Sequence, residues 1–216
     1  IGPQDNIFSI DAAELEQRLK KCPAIRRASV KRQISSNPTL LVDIDARIPV
    51  AWIDCPELGI HPGDATYGAL ADKEGVIFPC MEQVHMHYIR EKRMPSVTLR
   101  PPSSGKLSYG VSIRELEAPM KLIELLSGTV TEYLPSIVSI TTPNDWSFCV
   151  RFTNDCQATF SHYGLEHQVE KLSRALRHAR QTHRKISSIN LIPEHNIPVI
   201  FDDSYEDIPL AEPIEE

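Results

Sequence analysis

Leu40–Trp52, LLVDIDARIPVAW, is the stretch on which the reading of the chain turns. Val42, Ile44, Ala46, Ile48, Val50 and Trp52 fall on one side of an extended chain, and Asp43, Asp45 and Arg47 on the other. A strand with one dry and one wet face belongs to an antiparallel sheet with an open side. Pro49 has no N–H to give to a ladder, so the chain there lies on an edge, at a bulge, or where it passes from one sheet to another. The stretch reads as a spine joining two domains.

Upstream, Ser9 and Asp11 precede AAELEQRLKK, and Glu14 stands three residues after Asp11, a helix start of the capping-box type. Ala12, Leu15, Leu19 and Cys22 form its apolar stripe, and Pro23 ends it. Ile25–Ile34 reads as a strand with Ala28 and Val30 inward, and Ser35-Ser36-Asn37-Pro38 turns it into the opening stretch as a hairpin. One helix on one hairpin buries too little to stand alone. The run Arg26, Arg27, Lys31 and Arg32 reads as a solvated strand face.

Downstream, Asp72–Gly75 is a turn between short strands at Tyr67–Ala71 and Val76–Phe78. His85 and His87, read as extended chain, share one side and suggest a metal pair, although no third ligand stands at a telling distance. Met94-Pro95-Ser96-Val97 begins another extended piece, and Glu115–Leu126 is a helix with Leu116, Met120, Ile123 and Leu126 on one side. Ile137–Thr141, Trp146–Thr153 and Cys156–Ser161 read as strands. A two-residue turn at Asn154-Asp155 would put Phe148, Val150 and Phe152 on the face of Gln157 and Thr159. Leu165–Lys185 is the clearest helix, apolar through Leu165, Val169, Leu172, Leu176 and Ala179 and basic through Lys171, Arg174, Arg177, Arg180 and Arg184. Ile186–Leu191 and Ile197–Phe201 are the last strands, and 203–216 reads as an acidic mobile tail.

The composition narrows the function classes. A formal charge of −6 speaks against a general nucleic-acid binder. No run approaches the roughly 20 apolar residues of a membrane span. The opening residues start in mid-pattern, as a truncated chain would. Five cysteines without a C-x-x-C pair indicate neither a disulfide framework nor zinc, with a Cys55–Cys80 pair left open. A metal-assisted enzyme using His85, His87 or His162 with a carboxylate is one alternative, but no nucleophile elbow, phosphate loop or zincin helix accompanies them. No cofactor is expected, and the fold class is α+β.

The order helix, proline, strand, SNPT turn, strand, RIPVAWI and LADKEGVIF resembles the bacterial cell-division protein family FtsQ/DivIB. Arg47, Pro49, Val50 and Ala51 match the signature that ends the family's POTRA domain, and Leu70, Asp72, Gly75 and Phe78 match the element that follows. The resemblance extends through the Trp146 hairpin to the final strands. It departs at Ala46, where the family has glutamate, and at Asn190-Leu191-Ile192-Pro193, where the family carries an aspartate-leucine-arginine-tyrosine run.

The resemblance implies a partial POTRA domain over 1–53, a larger, mostly antiparallel β domain with two helices over 54–202, and the tail. It implies a non-enzymatic scaffold of the divisome, on the extracytoplasmic side of the bacterial inner membrane and anchored by a single span before Ile1. Its expected partners are FtsB/DivIC-like and FtsL-like coiled-coil membrane proteins, captured by strand addition at the last strand. Ile197, Val199 and Phe201 would supply the pocket contacts, and Lys171 and Arg174 would meet acidic residues. A POTRA-type assembly module of the outer membrane is the other reading, although repeated POTRA units are not seen.

Overall fold

A computed structural model describes residues 10–34, 38–91, 93–128 and 134–202. The expected Ser35-Ser36-Asn37 turn, Ser9 and the acidic tail lie outside them. The fold is α+β, with four α-helices and eleven mostly antiparallel strands among the described residues. The chain divides into two compact units, Ile1–Met120 and Lys121–Glu216, and the division falls within helix α3 (Arg114–Gly128).

In the first unit, Asp11 starts helix α1 (Ala12–Lys20) by accepting the amides of Ala13 and Glu14 at 2.8 and 3.2 Å, which satisfies two of the orphan donors of the first turn. The helix packs on β1 (Ile25–Gln33), which pairs antiparallel with β2 (Thr39–Ala46), setting Ala28 opposite Ile44 and Val30 opposite Val42. Ala28 and Val30 are buried as expected, but Val42 and Ile44 remain 40% and 47% exposed. The dry face expected for Leu40–Trp52 is therefore not dry.

Nor is that stretch one strand. It leaves the hairpin after Ala46, runs without ladder pairing through Arg47–Val50 and resumes as β3 (Ala51–Asp54) in a different sheet. Pro49 sits buried in the transfer segment, where no sheet donor is required of it. The Val50 amide donates to the Ala71 carbonyl at 2.9 Å and sets the register of the new sheet.

The strand order there is β6-β3-β4-β5, with β4 (Ala69–Ala71) and β5 (Ile77–Pro79) antiparallel and β6 (Ser96–Thr98) parallel to β3. Trp52, Leu70, Phe78, Cys80 and Ala24 form a buried cluster, so the connection between α1 and β1 packs into the core of the sheet. A fully buried large apolar side chain such as Leu70 or Phe78 contributes about 1.5–3 kcal/mol. Between β5 and β6 the chain forms helix α2 (Glu82–Glu91), where a strand carrying His85 and His87 was expected. The segment 54–202 thus holds three helices among its described residues rather than two.

The second unit orders its strands β7-β8-β9-β10-β11: β7 (Ile137–Thr141), β8 (Ser147–Phe152), β9 (Gln157–Ser161), β10 (Lys185–Asn190) and β11 (Val199–Asp202). Helix α4 (Leu165–Gln181) crosses between β9 and β10, which are parallel. The β8–β9 register is one residue from the expected one: Val150 faces Ala158 and Phe148 faces Phe160. The cause is the connection. Asp155 adopts a left-handed φ of 63° and its amide bonds the Phe152 carbonyl, so the loop spans three residues rather than two. A one-residue slip moves every side chain to the other face. Gln157 and Thr159 accordingly join Arg151 and Cys149 on the open side, while Phe148, Val150, Phe152, Ala158 and Phe160 are buried together. Leu165, Val169, Leu172 and Ala179 of α4 are buried, and α4 packs on β9 and β10.

Candidate partner-binding edge

The last strand, β11, pairs antiparallel with β10 and stands at the end of the strand order. Its outer side has no neighbouring strand among the described residues. The Asn190 amide donates to the Pro198 carbonyl at 3.0 Å. Main-chain direction alternates along a strand, so Ile200 and Asp202 also turn their peptide groups toward β10, and Val199 and Phe201 turn theirs outward. Pro198 lacks its N–H on the inner side, so the outer row of donors keeps Val199 and Phe201.

The side chains alternate in the opposite sense. Val199 faces buried Ile189 and Phe201 faces buried Ile186, and both are half-buried on the covered side of the sheet. Ile197, half-buried, precedes the strand rather than belonging to it. Ile200 points to the open side and is 63% exposed. Sequence reading passed over it because its apolar character matched its neighbours, although the alternation itself puts Ile200 opposite in sense to Val199 and Phe201.

Basic groups border the strand. The Arg184 guanidinium lies 3.5 Å from the centre of the Phe201 ring, and the Lys185 ammonium lies 3.7 Å from the Asp202 carboxylate. Arg184 is placed by the end of α4, where His183 adopts φ 51° and the Arg184 amide returns to the Ala179 carbonyl at 2.8 Å. The two basic residues expected to meet a partner have different surroundings. Arg174 is 64% exposed in its side chain and pairs with Glu170 at 2.8 Å. Lys171 is buried, and its ammonium donates to the Pro193 carbonyl at 2.9 Å.

The junction residues gather in the first unit. Arg47 Nη1 meets Asp72 Oδ2 at 2.6 Å with both side chains largely buried, and its Nε donates to the Pro23 carbonyl at 3.0 Å. Asp72 Oδ1 accepts the amides of Glu74 and Val76, each at 3.0 Å, so one carboxylate closes the β4–β5 turn and holds the arginine. Arg26 adds a 2.6 Å pair with Glu74. Such buried pairs require multiple hydrogen bonds to offset desolvation, and this one has them. The two signature motifs of the sequence are thus halves of one contact.

The shared side on which an extended chain would set His85 and His87 is not formed. His85 and His87 lie on α2, where residues two apart diverge by about 200°. His85 is fully buried, its Nδ1 accepting the Met81 amide at 3.0 Å, whereas His87 is exposed. Burial pushes the His85 imidazole below its ordinary range. His162 packs edge-on against Phe148 in the other unit. Among the described residues no three His, Cys, Asp or Glu side chains gather as a metal site, and no helix is long and apolar enough to cross a membrane. Cys55 and Cys80, both buried, are not joined by a disulfide.

Residues 1–45 match the family model of the POTRA domain, FtsQ-type, a span that takes in α1, β1 and all but the last residue of β2. This supports the resemblance to the FtsQ/DivIB family. No curated protein matches the chain.

Proposed function

We propose, from the FtsQ-type POTRA match and the edge of β11, that the chain is a non-enzymatic scaffold of bacterial cell division. It captures FtsB/DivIC-like and FtsL-like coiled-coil partners outside the cytoplasmic membrane by strand addition. The observation that carries this reading is that β11 ends the strand order with no neighbouring strand on its outer side among the described residues. An added strand takes its hydrogen bonds from Val199 and Phe201 and packs side chains against Ile200 on the open face. Phe201, held beneath Arg184, stiffens the edge, and Arg174 offers charge to an acidic residue. Arg47, Pro49, Val50 and Ala51 serve the scaffold by fixing the POTRA hairpin to its neighbour.

The test uses the purified extracytoplasmic segment of an FtsB-type protein as probe. Val199→Pro removes one outward donor and leaves the pairing with β10 intact, so binding is expected to fall at least tenfold without a change in thermal midpoint. Phe201→Glu is expected to abolish binding. Full affinity in both variants refutes strand addition at this edge.

A further inference from the structure

We infer that Lys171 is a positioning residue that sets the outer edge of β11, and that it does not serve as a charge offered to a partner. The inference rests on the reading of β11 as the docking edge only for its functional meaning; the structural part stands without it. Lys171 lies in the middle of α4 and is 9% exposed, an unusual state for a lysine. Among the described residues its ammonium has one partner, the Pro193 carbonyl at 2.9 Å. Fixing so long a side chain costs it rotamer freedom, and what its bond holds is the connection between β10 and β11.

Four hydrogen bonds among the described residues hold the connection. At its start the Leu191 amide bonds the Thr159 carbonyl at 2.9 Å, and the Asn190 side chain accepts the Ile192 amide at 3.1 Å. At its end the Asn190 amide meets the Pro198 carbonyl. In between, where Asn196 takes a left-handed φ of 54°, Lys171 is the tie to the helix. The strand it delivers is short, pairs on one side only among the described residues, and faces a β10 whose register shifts between Ile186 and Ser188. A four-residue strand with an irregular ladder has little of its own to fix its height against the sheet. The helix-borne lysine supplies that reference.

Arg174, one turn further along, shows the contrast: it is exposed, already paired with Glu170, and free to exchange partners. The sequence gives both residues the same sign and the same helical flank, and burial separates their roles.

Amide hydrogen exchange on the free chain tests this, with no partner present. Lys171→Met keeps the stem and removes the ammonium. The Ile200 amide, which faces β10, is expected to exchange about tenfold faster, while Val150 and Phe160 amides in β8 and β9 keep the wild-type rate. Lys171→Arg, which restores a donor, is expected to recover most of the protection. Unchanged Ile200 exchange in Lys171→Met overturns the inference, as does a uniform increase across the whole second unit. Because the readout needs no partner, it fails separately from the docking reading, which the Val199→Pro binding measurement decides.

Discussion

The strand orders of the two units end differently. In the first, the outer side of β5 is occupied: the Gly110 amide donates to the Ile77 carbonyl at 2.8 Å, the Ile77 amide reaches the Val111 carbonyl at 3.4 Å, and Val76 bridges Ser112. In the second, the outer side of β11 carries no such cover among the described residues. A sheet edge is a template for another chain, so a fold that seals one and leaves the other bare has separated a structural edge from an available one. The sealed edge also lies beside the Asp72 turn, where the POTRA hairpin is clasped.

The largest effect is expected from breaking that clasp. Asp72→Ala leaves the Arg47 guanidinium without its buried carboxylate and the Glu74 and Val76 amides without their acceptor. Denaturant titration should show a loss of about 3–5 kcal/mol in the first unit, with β11 exchange unaltered. Unsealing the β5 edge comes next. Gly110 holds φ 82°, and a Cβ there would meet Pro23 at an ordinary 3.6 Å, so the cost of Gly110→Ala is in the backbone. It should amount to about 1–2 kcal/mol and appear as faster exchange at Ile77.

Acid is expected to act on the same unit. The folded state holds His85 below its ordinary value of 6.5 because burial disfavours the cation. Between that lowered value and 6.5 the unfolded chain binds more protons, so stability falls as pH drops through this window and is regained above it. Denaturation midpoints at pH 5 and pH 7.5 should differ by less in His85→Gln than in the parent chain; an equal difference removes His85 as the cause. The smallest effect on stability is expected at the open edge. Ile200→Lys should stay within about 0.5 kcal/mol of the parent, yet light scattering at high concentration should show reduced self-association.

Much of this was legible in the sequence where local chemistry decides structure. Asp11 announced α1, Asp72 and Gly75 announced the β4–β5 turn, and the apolar spacing of Leu165, Val169 and Leu172 announced α4. The readings that failed depended on a single residue of phase. Asn154-Asp155 looked like a two-residue turn, but the left-handed Asp155 closes a three-residue one, and the partner face of β9 reversed. His85 and His87 align on a strand and diverge on a helix, and the short segment around them carried no stop signal to choose between the two. In Leu40–Trp52 the change of sheet that Pro49 allows is the one the chain makes, but the dry face expected at Val42 and Ile44 is exposed, because alternation records which way side chains point and not what covers them. At the candidate edge, the main-chain direction of Val199 and Phe201 follows from one hydrogen bond, Asn190 to Pro198, that no pattern in the sequence reveals.

The parallel pairing of β9 with β10 also bears on the order in which the second unit assembles. The β7–β8 and β8–β9 pairs close over short loops, whereas β10 can join β9 only after the whole of α4 has been laid across the sheet. β11, which among the described residues pairs with β10 alone, has to follow. The expected sequence in pulse-labelled refolding is therefore protection at Val150 and Phe160 first and at Ile200 last. The strand left open among the described residues is then also the one that a slow or interrupted fold would leave unformed, and on the strand-addition reading binding would mature only when the rest of the unit is complete.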